Sequence, residues 1–119
     1  MAPRAKHLTF DDVVRLARQL PGVEAATSYG TPALKVNSKL IARLREDGTT
    51  LVLRVPFVVR DHLIATAPAA FFLTDHYRNY PWVLVRLGAT SAKELQPLLT
   101  EAWRQVAPKK LIAQVDASG

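Results

Sequence analysis

The chain has 119 residues, 49% hydrophobic and 22% charged, enough for one buried core and too apolar for a disordered chain. It has no cysteine, which excludes a disulfide framework, a cysteine metal cluster and a cysteine nucleophile. Sixteen Lys and Arg against ten Asp and Glu give a net charge of +6, a balance that suits either a polyanionic partner or plain solubility.

No apolar run approaches the ~18 residues that a membrane span needs. The basic start Met1-Ala2-Pro3-Arg4-Ala5-Lys6 lacks the apolar centre of a signal peptide. The expectation is a cytoplasmic protein with no membrane partner. A single domain would span residues 1–119, with flexible tails at 1–8 and 112–119.

In chain order, Thr9-Phe10-Asp11-Asp12 opens a first helix, with Thr9 as cap and acidic groups at the positive helix end. Phe10, Val13, Val14, Ala17 and Leu20 follow helical spacing on one face, and Pro21-Gly22 stops the helix. Between Ala33 and Val55 cationic and apolar residues alternate with a period of two, the mark of strands with one buried and one wet face, and Ala25 to Val55 is predicted to form three antiparallel strands. A two-residue Asn37-Ser38 turn would pair Val36 with Lys39 and mix the faces. A three-residue loop through Lys39 instead pairs Val36 with Leu40 and Leu34 with Ala42, and is the preferred register. Glu46-Asp47-Gly48-Thr49 makes the next turn and pairs Leu44 with Leu51. This register leaves Lys35, Ile41, Arg43, Arg45, Val52 and Arg54 outward, in rows reading Lys35–Ile41–Arg54 and Ala33–Arg43–Val52.

Pro56 opens a short helix through Ala67, with Val59, Leu63 and Ile64 toward the core. Ala70–Thr74 and Trp82–Leu87 are the fourth and fifth strands. The polar and aromatic loop Asp75–Pro81 joins them. Val83, Val85 and Leu87 face inward, and Trp82 and Arg86 outward. Ser91-x-x-Glu94 is a capping box for the last helix, whose apolar face is Leu95, Leu98, Leu99, Ala102, Trp103 and Val106. Pro97 lies inside that pattern, so the helix either kinks there or starts near Gln96; the kink is preferred. Pro108-Lys109-Lys110 ends it.

The order helix, three strands, helix, two strands, helix resembles the MmcQ/YjbR family of small bacterial proteins. The resemblance rests on Leu20-Pro21-Gly22-Val23-Glu24, Tyr29-Gly30-Thr31-Pro32-Ala33-Leu34-Lys35-Val36, Lys39-Leu40-Ile41-Ala42, Pro81-Trp82-Val83-Leu84-Val85-Arg86-Leu87 and Leu98-Leu99-x-x-Ala102-Trp103-Arg104. It covers roughly Thr9 to Lys110. The resemblance implies an α+β, two-layer fold with a five-stranded antiparallel sheet, in the order α-β-β-β-α-β-β-α and similar to secretion-chaperone-like folds. It also implies DNA binding, since family members are described as predicted DNA-binding proteins with a double-wing motif in which two β-hairpins act as wings. No catalytic residue set comes with it.

On this reading DNA is the expected partner. Lys35, Arg43, Arg45, Arg54 and Arg86 would contact phosphates from the sheet face, with Lys39 at a wing tip. Such a face could equally be solvated with no partner at all. The alternative is a small-ligand or protein-interaction module using a cleft built from Tyr29, His76, Tyr77, Arg78, Tyr80 and Trp82. Tyr29 and Trp82 could also stack on unpaired bases. Oligomeric state is left open. No enzyme is expected: His7, His62 and His76 lack metal-ligand spacing, and no nucleophile elbow, phosphate loop or dinucleotide fingerprint is present. No cofactor and no metal are expected either.

Overall fold

The structure is a computed structural model that describes residues 8–118. The elements are α1 (Phe10–Ala17), β1 (Val23–Ser28), β2 (Thr31–Val36), β3 (Lys39–Leu44), β4 (Thr50–Arg54), α2 (Phe57–Thr66), β5 (Phe71–Phe72), β6 (Trp82–Arg86), α3 (Ala92–Val106) and α4 (Lys109–Ser118). The strands form one six-stranded antiparallel sheet in the order β1-β2-β3-β4-β6-β5.

The fold is α+β, but the five-stranded sheet is overturned: there are six strands and, among the described residues, four α-helices. The added strand is β1, an edge strand whose sequence Val-Glu-Ala-Ala-Thr-Ser is too short in side chain and too half-exposed to show an apolar alternation. The added helix is α4. Pro108 acts as its starting residue and not as a terminator, because its carbonyl accepts from Leu111 N and Ile112 N at 2.9 and 3.1 Å. Leu111, Ile112 and Val115 of α4 then pack against the core, the last two within the 112–119 stretch expected to be a flexible tail. The matching expectation for residues 1–7 and 119 lies outside the described residues.

Capping fixes the helix starts. Thr9 Oγ1 accepts from Asp12 N while Asp12 Oδ2 accepts from Thr9 N at 2.9 Å, a reciprocal box that satisfies two free amides. Ser91 Oγ accepts from Glu94 N, so α3 begins at Ala92 and runs through Pro97 without a later start near Gln96. The core lies between the helices and one sheet face. Val13, Ala17, Leu95, Leu99, Ala102 and Trp103 meet Leu34, Val36, Ile41, Leu51, Leu53, Val83 and Val85. Fully buried Trp103 donates from Nε1 to Pro21 O at 2.7 Å, which ties α3 to the turn before β1.

The hairpin register differs from the preferred one in an instructive way. Val36 pairs with Lys39 across a two-residue Asn37-Ser38 turn, both at positive φ (52° and 65°) as a type I′ turn requires. Leu34 nevertheless pairs with Ala42, because the ladder shifts by one residue between Leu34 and Lys35. Lys35 pairs with Leu40, so Ile41 is the extra residue of a β-bulge. The bulge turns Ile41 into the core, where it is fully buried, and corrects its expected outward position. Lys39 thereby begins β3 beside the turn instead of sitting within a three-residue loop.

Candidate nucleic-acid interface

Away from the helices, the ladders align Ala33, Arg43, Val52 and Leu84 across β2, β3, β4 and β6. These four are all buried, yet none belongs to the helix-side core. The outer face is therefore not the open, wet surface that the alternation implied. The chain between β5 and β6, with a single 3-10 turn at Asp75–Tyr77, folds over its middle.

A cleft of about 630 Å³ remains between that loop and the sheet. Leu40 and Val52 give it apolar lining from the strands, Tyr29, Tyr77, Tyr80, Trp82 and His76 supply rings, and Arg43 and Glu46 supply charge. Of the cleft residues expected from sequence, Tyr29, His76, Tyr77, Tyr80 and Trp82 converge here. Arg78 does not line it; its guanidinium bonds to Asp75 Oδ1 at 2.5 Å.

Arg43 is the organising group. It was expected to be exposed and is 7% exposed. Its Nη1 donates to Thr31 Oγ1 at 3.0 Å and to Glu46 Oε1 at 3.1 Å, and its Nη2 donates to the Tyr77 hydroxyl at 3.2 Å. Burial works against its charge, but the bonds to Tyr77 and Glu46 outweigh it and raise its pKa further. Glu46 is held below the usual carboxylate range by its own backbone amide and by Arg43, so it stands ionised beside the guanidinium at neutral pH.

Tyr29 stands on the rim at 89% exposure, its ring 5.5 Å from the Arg43 guanidinium carbon. Tyr29 and Gly30 are the two central residues of the β1–β2 turn, both at positive φ (53° and 78°). Left-handed backbone at a bulky residue costs about 1–2 kcal/mol. On the other side Arg54 lies 4.7 Å over the Trp82 ring and donates from Nε to Leu40 O at 2.9 Å. Its burial lowers its pKa.

The remaining expected contact residues spread around this centre. Lys39 is exposed beside the β2–β3 turn; Lys35, opposite Glu24 of β1, and Arg45 are half-buried. Exposed Arg86 lies at the far end of β6, 4.0 Å over the Phe72 ring, and bonds to the carbonyls of Pro68 and Ala69. Sequence reading missed Glu46, taken only as a turn residue, and Arg60. Buried Arg60 donates from Nη1 to Arg78 O at 2.9 Å and to Tyr80 O at 3.2 Å, fixing the loop from beneath. A lone arginine within the apolar run of α2 was the available signal. There is no cysteine in the chain, and among the described residues no group of three or more His, Asp or Glu could hold a metal ion. Nor is any described helix long and apolar enough to cross a membrane.

The fold and this cleft define a small α+β protein with a ring-lined recess on the sheet face opposite its helices. A YjbR family model matches residues 18–105, and the chain belongs to the YjbR family. Similar relatives are Rv2570 of Mycobacterium tuberculosis and Mb2600 of Mycobacterium bovis, each 34% identical over 119 residues that cover 87% of this chain and 92% of the relative. The crystal structure of Deinococcus radiodurans protein DR2400, with a DUF419 domain, shares the fold at a TM-score of 0.72. Its identity is 24%, covering 87% of this chain and 82% of that one.

Proposed function

We propose that this protein is a non-enzymatic nucleic-acid-binding module whose contact surface is the outer sheet face, with unpaired bases stacking in the central cleft. The observation that carries the reading is that exposed rings and cations share this one face. Tyr29, Tyr80 and Trp82 offer π-surfaces at the cleft, and Lys35, Arg54 and Arg86 stand on the same side of the sheet, with Lys39 beside the β2–β3 turn and Arg45 just beyond β3. Stacking on aromatic side chains suits single strands of any sequence, and cations around a recess suit phosphates. A duplex fits less well. Arg43 and Arg54 already donate to protein oxygens, and the recess is lined by rings.

Fluorescence anisotropy with a labelled oligothymidylate and a duplex of equal length, repeated across a salt series, tests this. Log affinity for the single strand should fall linearly with log salt, with a slope of about −0.7 per phosphate contact. The single strand should bind more tightly than the duplex and quench tryptophan emission. Trp103 is fully buried, so the quenching reports on Trp82. Absence of binding to either at low salt, or tighter binding of the duplex, defeats the reading.

A further inference from the structure

We infer that the cleft selects guanine among unpaired bases. The inference rests on the nucleic-acid reading above and names which base that site takes. The polar groups of the cleft carry the argument. Arg43 can only donate, Glu46 once ionised can only accept, and they sit side by side, joined at 3.1 Å. With Nη1 engaged by Thr31 and Glu46 and one Nη2 hydrogen by Tyr77, the Nε–H and a second Nη2–H have no protein partner among the described residues. Arg43 lines the cleft together with Glu46.

A base seated between the rings would meet this donor and acceptor around the rim where its Hoogsteen and Watson–Crick edges join. Guanine presents O6 and N7, two neighbouring acceptors that form the commonest specific pairing with arginine. Next to O6 come N1–H and N2–H, two neighbouring donors spaced for a carboxylate. The order acceptor, acceptor, donor, donor thus matches Arg43 followed by Glu46. Adenine puts its amino group where O6 would be and has no donor at N1. The pyrimidines lack the doubled acceptor and offer a smaller face to Trp82 and the tyrosines. The cleft volume of about 630 Å³ leaves room for a purine and its sugar.

The test uses oligothymidylate strands carrying a single central dG, dA, dC or inosine, titrated against the whole protein by anisotropy. The dG strand is expected to bind about tenfold more tightly than the dA or all-dT strands, since a good bidentate pair discriminates by that order. Inosine, which lacks the N2 amino group, should fall between. In Glu46→Gln the ratio of dG to inosine affinities should collapse toward one, and Arg43→Lys should reduce the ratio of dG to dA. Glu46 is an exposed side chain, so the first variant tests selection even if the second fails to fold. Competition by GMP but not AMP would locate the preference in the base itself. Equal affinity for all four strands overturns guanine selection while leaving base stacking standing. Failure of every strand to bind at low salt overturns the nucleic-acid reading, and this inference with it.

Discussion

The Tyr77 hydroxyl accepts a hydrogen bond from Arg43 Nη2 at 3.2 Å, joining residues 34 positions apart and latching the loop between β5 and β6 to the centre of the sheet. From below, Arg60 holds the carbonyls of Arg78 and Tyr80. Two arginines thus hold the loop, Arg43 through a side chain at its middle and Arg60 through the backbone of its second half.

Tyr77→Phe removes the latch and keeps the ring. A hydrogen bond to a charged donor at a half-buried site is worth about 1–2 kcal/mol, so urea unfolding should show a loss of that order. Amide exchange should speed up selectively around Asp75–Tyr80, while the core strands β3, β4 and β6 keep their protection. Uniformly faster exchange would mean that Tyr77 supports the whole fold and not the loop.

Tyr29 occupies a position that the turn would rather give to another residue. Tyr29→Asn creates Asn-Gly, a preferred pair for a turn with two positive φ angles. The ring is 89% exposed, so little burial is lost with it. Stability should rise by about 0.5–1 kcal/mol, the relief of left-handed strain less a weak cation–π contact with Arg43. Affinity for single-stranded DNA should fall about tenfold in the same variant, as expected for loss of one stacking ring. A gain in stability with unchanged affinity would remove Tyr29 from the binding surface.

Asp47 supplies a pH-dependent share of stability through the β3–β4 turn. Its Oδ1 accepts from Thr49 N and Thr50 N, both at 2.9 Å, and Oδ2 accepts from Thr50 Oγ1 at 2.7 Å. Partial burial acts to raise its pKa, but these bonds outweigh it and hold the group below its ordinary value of 3.8. A carboxylate with a depressed folded pKa contributes fully above its unfolded value and loses that contribution as pH falls through the folded one. Asp47→Asn should therefore cost about 1 kcal/mol in urea denaturation at pH 7. The difference from the parent protein should shrink below pH 3.8. A difference independent of pH would rule out the charge as its source.

The period-two alternation made the side of the sheet legible. It put Arg43, Arg54 and Arg86 on the side away from the helices, and the row Ala33–Arg43–Val52 stands in the ladders. Whether that side is wet was not legible, because it depends on a loop more than twenty residues distant crossing the face, and no local pattern encodes such a contact. The convergence of Tyr29, Tyr77, Tyr80 and Trp82 was visible only as an excess of aromatic residues near a polar loop. Strand β1 escaped because its alanines, threonine and serine carry no strong alternation. Helix α4 escaped because a proline after a helix reads as a stop, although the same residue suits a helix start.

The β-bulge at Ile41 reconciles a two-residue turn with an apolar pairing further along, and it makes a sharp prediction. Lys39 through Ala42 reads as unbroken strand, so regular alternation would put Leu40 inward with Ala42 and leave Ile41 on the outer face. In the fold Ile41 is fully buried against the helix-side core, while Leu40 is half-buried and lines the cleft. Ile41→Ala should cost about 2–5 kcal/mol and Ile41→Val about 1 kcal/mol, the range for cavities left by core methyl groups. Leu40→Ala should cost less than Ile41→Ala, because part of its surface already faces solvent, and should weaken binding in the cleft instead. Chemical denaturation of the three variants decides the register. If Leu40→Ala is the more destabilising of the two alanine changes, the bulge is misplaced and the hairpin pairs Val36 with Leu40 after all.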